Sequence, residues 1–138
     1  GFYRMKAKHV QETARAIVTD FGGEVPSTMD ELVTLPGVAR KTANIVLNSA
    51  FGIVVGIAVD THVLRLAHRW GLTKEKDPVK VERDLMAIFE ERCWGSLSFR
   101  IQLHGRQVCD AKRPVCGTCA LSDVCPSACQ VKGWRESA

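Results

Sequence analysis

Cysteine is absent before Cys93 in this 138-residue chain, and five of the six cysteines lie between Cys109 and Cys129. A small secreted domain stapled by disulfides would spread them along its length, so the clustering speaks for a metal site in a reducing compartment. Also lacking is an apolar run long enough for a bilayer. The longest, Ile53 to Val59 with Gly56 inside it, falls well short of the ~20 residues a transmembrane helix needs. No membrane partner is expected. There is no initiator Met and no signal-peptide pattern, since Gly1-Phe2-Tyr3-Arg4 leads straight into a helical pattern. From this we expect an intracellular protein of the cytoplasm or nucleoid, and a fragment of a longer one. A large charge of one sign is missing too. The net charge of +4 leans only mildly towards a polyanionic partner. With 46% apolar and 25% charged residues, the chain has ordinary globular composition. Its length allows one domain with a real core, or two small lobes.

What the chain does have is helical periodicity, with no repeats. Val10, Ala14, Ile17, Val18 and Phe21 recur as one apolar face of a helix beginning near Lys6 and ended by Gly22-Gly23. Pro26-Ser27 starts a short helix running to about Leu35, with Ser27 and Asp30 spaced as a capping box. The string Leu35-Pro36-Gly37-Val38-Ala39 reads as a tight turn into a helix over residues 40–49, which makes a helical hairpin. Residues 53–59 are β-branched without a partner strand, and read as a buried connection. Asp60-Thr61 opens a helix with Val59, Val63, Leu66, Ala67 and Trp70 on one face, closed by Gly71. Asp77-Pro78 opens another with Val81, Leu85, Ile88 and Phe89 inward. Gly95-Ser96 opens a last one, to about Val108. The predicted class is all-α.

A Pro-Gly turn between short helices leaves N–H groups at the start of the second helix without intrahelical acceptors. Aided by the helix dipole, they can hold an anion such as a DNA phosphate, a contact blind to sequence. An exposed turn in a helical bundle is the plainer reading of Pro36-Gly37 by themselves. Lys41 falls in the first helical turn, where the dipole disfavours its charge and lowers the amine's pKa. A neutral amine is the form a Schiff-base nucleophile needs. A solvated surface lysine fits the same place. Asp60 stands where an N-cap worth about 1 kcal/mol is expected, and capping leaves one carboxylate oxygen for chemistry.

Cys109-x6-Cys116-x2-Cys119-x5-Cys125 offers four thiolates within 17 residues. Such a set suits zinc or an iron–sulfur cluster, and on the residues alone zinc is the default. With every ligand position filled, its role would be structural. Lys112 and Arg113 lie between the first two cysteines, where a rigid loop would present them to phosphate; ordinary solvated charge is the alternative. Cys93 beside Trp94 reads as a small buried residue, and Cys129 as a free thiol. His62 reads as packing within its helix. Arg65, His68, Arg69, Arg100, His104 and Arg106 add charge on two helices. Some of them are expected to face DNA and most to face solvent.

Leu35 through Asn44, followed by Val59-Asp60-Thr61-His62-Val63, resembles the helix-hairpin-helix and adjoining Asp of the endonuclease III family of DNA glycosylases. The four-cysteine spacing is similar to that family's [4Fe-4S] loop, and the resemblance runs from Phe2 through Cys125. It implies part of a helical barrel with the hairpin over residues 1–76, and C-terminal helices with the cluster loop over 77–138. It implies a [4Fe-4S] cluster on Cys109, Cys116, Cys119 and Cys125. Lys41 would attack C1′ of the damaged nucleotide, and Asp60 would activate the amine or stabilise the cationic sugar. Base flipping and β-elimination would follow. Leu35, Gly37, Ala39, Arg40, Lys112 and Arg113 would contact DNA, and Phe2 would be an apolar wedge in the duplex. The substrates implied are duplexes with oxidised or ring-saturated pyrimidines or abasic sites.

The family usually has Gly where this chain has Ala39, which matters only if that residue needs φ > 0. Family members also carry a helical segment before the equivalent of Gly1. A missing N-terminal segment or companion chain is therefore expected to complete the cleft. Two other readings stay open: an incomplete fragment that binds DNA without turnover, and a zinc-bound helical interaction domain.

Overall fold

A computed structural model describes residues 2–137 of the chain. The helices are Tyr3–Asp20 (α1), Met29–Leu32 (α2), Arg40–Val46 (α3), Thr61–Arg69 (α4), Pro78–Ile88 (α5) and Glu91–Gln107 (α6). A π-helical turn, Leu47–Phe51, continues α3, and a 3-10 turn lies at Ser122–Val124. Among the described residues no strand forms, and Val115 and Arg135 make an isolated parallel bridge. The class is all-α, as the periodicity predicted. Among the same residues no helix is long and apolar enough to cross a membrane. Two compact units divide the chain, Gly1–Ala58 and Val59–Ala138.

In the first unit the core is Leu32, Leu35, Ala43 and Leu47, with Ala16, Ile17, Phe21, Met29, Val38 and Val46 packed against it. Helix α1 begins at Tyr3 rather than near Lys6, and touches this core only through its C-terminal turns. Val10 and Val18, placed on its apolar face by the pattern, are 68% and 67% exposed. Val10 lies two turns before Ile17, where the facing surface is the turn at Pro36-Gly37. Val18 is rotated from Ile17 by about a quarter to a third of a turn.

The capping box falls one residue later than the sequence suggested. Thr28 Oγ1 accepts from the Glu31 N–H at 3.3 Å and donates to Glu31 Oε2 at 2.6 Å. Only the longer Glu side chain reaches back to the cap, so Thr28 and Glu31 displace Ser27 and Asp30. The π-helical turn carries the hairpin's second helix to Phe51, past the expected end, and Gly52 at φ +68 stops it. The connection that follows buries Ile57, Ala58 and Val59, but Ile53 and Val55 are exposed.

In the second unit α4 packs against α5 and α6. Val63, Leu66, Ala67, Val81, Leu85 and Ile101 are buried. A side chain such as Leu66, fully buried, contributes about 1.5–3 kcal/mol. The α4–α6 approach is close at Gly105, where a Cβ would lie 3.0 Å from Arg65 and 3.1 Å from His62. Asp77 caps α5 through Val79 and Lys80 with Pro78 behind it, as expected. Ile88, however, is 52% exposed because the helix ends there and Phe89 turns extended. Helix α6 starts at Glu91 rather than at Gly95. Glu90 is its extended N-cap, and the acidic Glu91 suits the positive end of the dipole. Cys93 is only half-buried.

Candidate active-site helices and cysteine centre

The hairpin turn is built by glycine and fixed from α1. Gly37 has φ +75, and the Val38 N–H closes the turn on Leu35 O at 3.0 Å. A Cβ on Gly37 would sit 2.7 Å from the His9 ring, so glycine is required by backbone and by space alike. Thr13 Oγ1, one turn on from His9, donates to Pro36 O at 2.6 Å. Ala39 is extended, φ −88 and ψ 166, so it needs no positive φ and alanine is unstrained there. It offers no side-chain cap to α3. Arg40 is half-buried and Lys41 exposed in the first turn of that helix. Leu35, by contrast, is 4% exposed, so its side chain belongs to the core and only its backbone faces the turn. Phe2 is 78% exposed at the start of α1, in a left-handed conformation (φ 61, ψ 20).

Asp60 is the cap the sequence predicted. Its Oδ1 accepts from the N–H groups of His62 at 2.9 Å and Val63 at 2.8 Å, leaving Oδ2 outside the cap. The carboxylate is half-buried and held at the start of α4.

Cys109, Cys116, Cys119 and Cys125 line one small hollow between the end of α6 and the loop after it. Among the described residues no three His, Cys, Asp or Glu groups converge as a single-ion site. What the thiols share is the wall of that hollow. Polar hydrogens already point at two of the sulfurs. Arg69 Nη1 donates to Cys109 Sγ at 3.1 Å, and the Leu121 N–H donates to Cys119 Sγ at 3.4 Å. His104 Nε2 is 3.7 Å from Cys119 Sγ, its ring packed at 5.6 Å from Trp70, and burial lowers its pKa. Four soft donors around a common space, with N–H groups directed at the sulfurs, fit an iron–sulfur cluster.

Sequence reasoning missed what anchors this loop. In the sequence Arg65 and Arg69 stand out only as positive charge, yet both reach from α4 to the segment that starts the cysteine loop. Arg65 Nη2 donates to Gly105 O and Cys109 O, each at 3.1 Å. Arg69 donates to Asp110 O at 2.7 Å and to Ala111 O at 2.8 Å. Asp110 Oδ1 in turn accepts from the N–H groups of Lys112 at 2.8 Å and Arg113 at 2.9 Å. Those two hydrogen bonds hold the Asp110 carboxyl below its ordinary value, first through Arg113 and then Lys112. Lys112 and Arg113 are thereby fixed by their backbones with their side chains exposed.

The family model described as the HhH-GPD superfamily base excision DNA repair protein matches residues 1–91. Endonuclease III of Synechocystis sp. is 57% identical over 128 residues, covering 93% of this chain and 58% of that protein. Endonuclease III of Bacillus subtilis is 48% identical over 126 residues, 91% of this chain and 57% of its own length. A solved non-covalent endonuclease III–DNA complex superposes with a TM-score of 0.88 at 40% identity, covering 94% of this chain and 61% of that one. A trapped endonuclease III–DNA covalent intermediate gives the same TM-score and identity. The chain thus spans a little under three fifths of the length of the curated relatives it matches.

Proposed function

Because the chain belongs to the HhH-GPD superfamily of base excision DNA repair proteins, we propose that it carries the nucleophile of a DNA glycosylase with β-lyase activity, of the endonuclease III type. The observation that carries this reading is Lys41, exposed in the first turn of α3 just past the glycine turn that α1 fixes in place. The trapping of a related endonuclease III on DNA as a covalent intermediate supports it.

In this reading the Lys41 amine attacks C1′ of the damaged nucleotide. The base leaves with its glycosidic electron pair; the sugar ring then opens, the C1′–O4′ bond breaking as the Nζ lone pair forms the imine to C1′ and O4′ takes up a proton. Asp60, rigid as a cap, takes up the amine's proton or offsets the positive charge of the opening sugar through Oδ2. The imine acidifies C2′, and loss of that proton expels the 3′ phosphate. The Pro36–Arg40 backbone, with Leu35, Gly37 and Ala39, grips a neighbouring phosphate. Lys112 and Arg113 add two more phosphate contacts, and Phe2 wedges into the duplex as the nucleotide flips out.

The partner is duplex DNA bearing oxidised or ring-saturated pyrimidines, or abasic sites. Cys109, Cys116, Cys119 and Cys125 would hold a [4Fe-4S] cluster, which supplies rigidity to the loop rather than chemistry on substrate. That cofactor places the protein in a reducing compartment, with the nucleoid as its site of action. Functionally, residues 1–76 form the catalytic part and 77–138 the cluster part. The relatives' greater length argues that a further segment or companion chain completes the cleft.

Nicking of an abasic duplex under single turnover tests the reading. Lys41→Gln is expected to slow it by about 10³-fold or more. Equal rates for the two proteins would leave a DNA-binding module without turnover.

A further inference from the structure

The chain does not trail away after Cys125. Val131 lines the hollow shared by the four cysteines and anchors the tail there. Past that anchor the backbone is tied to the cysteine loop. The Arg135 N–H donates to Pro114 O at 2.8 Å, and Arg135 O accepts from the Gly117 N–H at 3.2 Å. Two glycines permit so close an approach. A Cβ on Gly133, at φ +81, would lie 2.6 Å from Lys112 O, and one on Gly117 would strike the backbone of Glu136.

This pairing gathers four cations on two adjoining stretches of chain. Lys112 and Arg113 lie on the loop, Lys132 and Arg135 on the tail, and all four are exposed. Among the described residues none of the four is paired with a carboxylate. Asp110 is close, but its Oδ1 is taken up by the backbone N–H groups of Lys112 and Arg113. Like charges that the fold holds together repel one another and raise the local potential until a polyanion neutralises them.

We propose that the tail, residues 131–136, is the second edge of a phosphate-binding surface, on which Lys132 and Arg135 join Lys112 and Arg113 against the backbone of duplex DNA. This rests on the reading of Lys112 and Arg113 as phosphate contacts. The tail is held by its main chain and by Val131, so the charged ends of Lys132 and Arg135 are left for a partner. Such a surface grips the duplex without reading its sequence.

The test is the salt dependence of binding to an undamaged duplex, followed by fluorescence anisotropy on the full chain. Replacing Lys132 and Arg135 together by Ala is expected to lower the slope of log affinity against log salt by about 2. The paired change Lys112→Ala with Arg113→Ala should do the same. Exchanging the tail cations, Lys132→Arg with Arg135→Lys, should keep the slope. So should Lys74→Ala with Lys76→Ala, which removes equal charge from the connection between α4 and α5. An unaltered slope for the tail pair beside a lowered one for the loop pair would overturn the second edge and leave the loop contacts standing. Equal losses from the tail pair and from Lys74 with Lys76 would mean bulk charge, and would overturn it too. A loss seen only on single strands would overturn duplex DNA as the partner. An unaltered chain whose binding does not weaken with salt would overturn the phosphate reading of the loop, and this proposal with it.

Discussion

Gly37 and Lys41 show how differently single residues came through from the sequence. Lys41 and Asp60 stood out because each sits in a local string whose chemistry depends on nearest neighbours: a turn, a helix start, a cap. The capping bonds of Asp60 to residues two and three along the chain were foreseeable from spacing alone. Thr13 and His9 were not, because their partners at the hairpin turn lie 23 and 28 residues further along. No period or motif links them. Gly37→Ala would force φ +75 on a residue with a Cβ and press that Cβ into His9. A loss of about 1–3 kcal/mol is expected in chemical denaturation. Adding His9→Ala should recover the steric part and leave the backbone part. An unchanged midpoint for Gly37→Ala would mean that the turn relaxes freely. Arg69→Met keeps the packing of the aliphatic stem but removes the donor to Cys109 Sγ. Iron retention against a chelator is expected to weaken by about 10–100-fold, and unaltered retention would show that Arg69 merely accompanies the loop.

At the scale of elements, helix existence was legible and helix ends were not. The apolar spacing of α4 and the Asp77-Pro78 start of α5 came through because local rules governed them. The start of α2 moved because the Thr28–Glu31 box competes with Ser27–Asp30, whereas α1 and α6 begin at Tyr3 and Glu91 with no side-chain cap. The four cysteines were legible as a set, but the scaffold around them was not. Arg65 and Arg69 act across 40 to 44 residues. The loop they hold presents Lys112 and Arg113. If both touch phosphate, replacing each by Ala should reduce the salt slope of DNA binding by about 1. An unaltered slope would mark them as solvated charge. The order of this loop should also resist mild acid. The Asp110 carboxyl is lowered in the fold, so its contribution is present above the unfolded value and is lost only as pH falls through the lower folded one.

For the molecule as a whole, the all-α class and the family followed from the sequence. Phe2 just before α1, Val10 and Val18 on it, and Phe99 and Val124 in the second unit are each at least two-thirds exposed. Surface of that kind, in a chain shorter than its relatives, predicts self-association or a broad thermal transition for the chain by itself. A monomer in sedimentation with a sharp melt would contradict this. The most direct test of the catalytic claim is borohydride trapping on a duplex with one abasic site, comparing the chain with its Lys41→Ala variant. The account predicts a covalent adduct that the variant does not form. A folded, iron-containing protein that gives no adduct, or one that Lys41→Ala leaves intact, would contradict it.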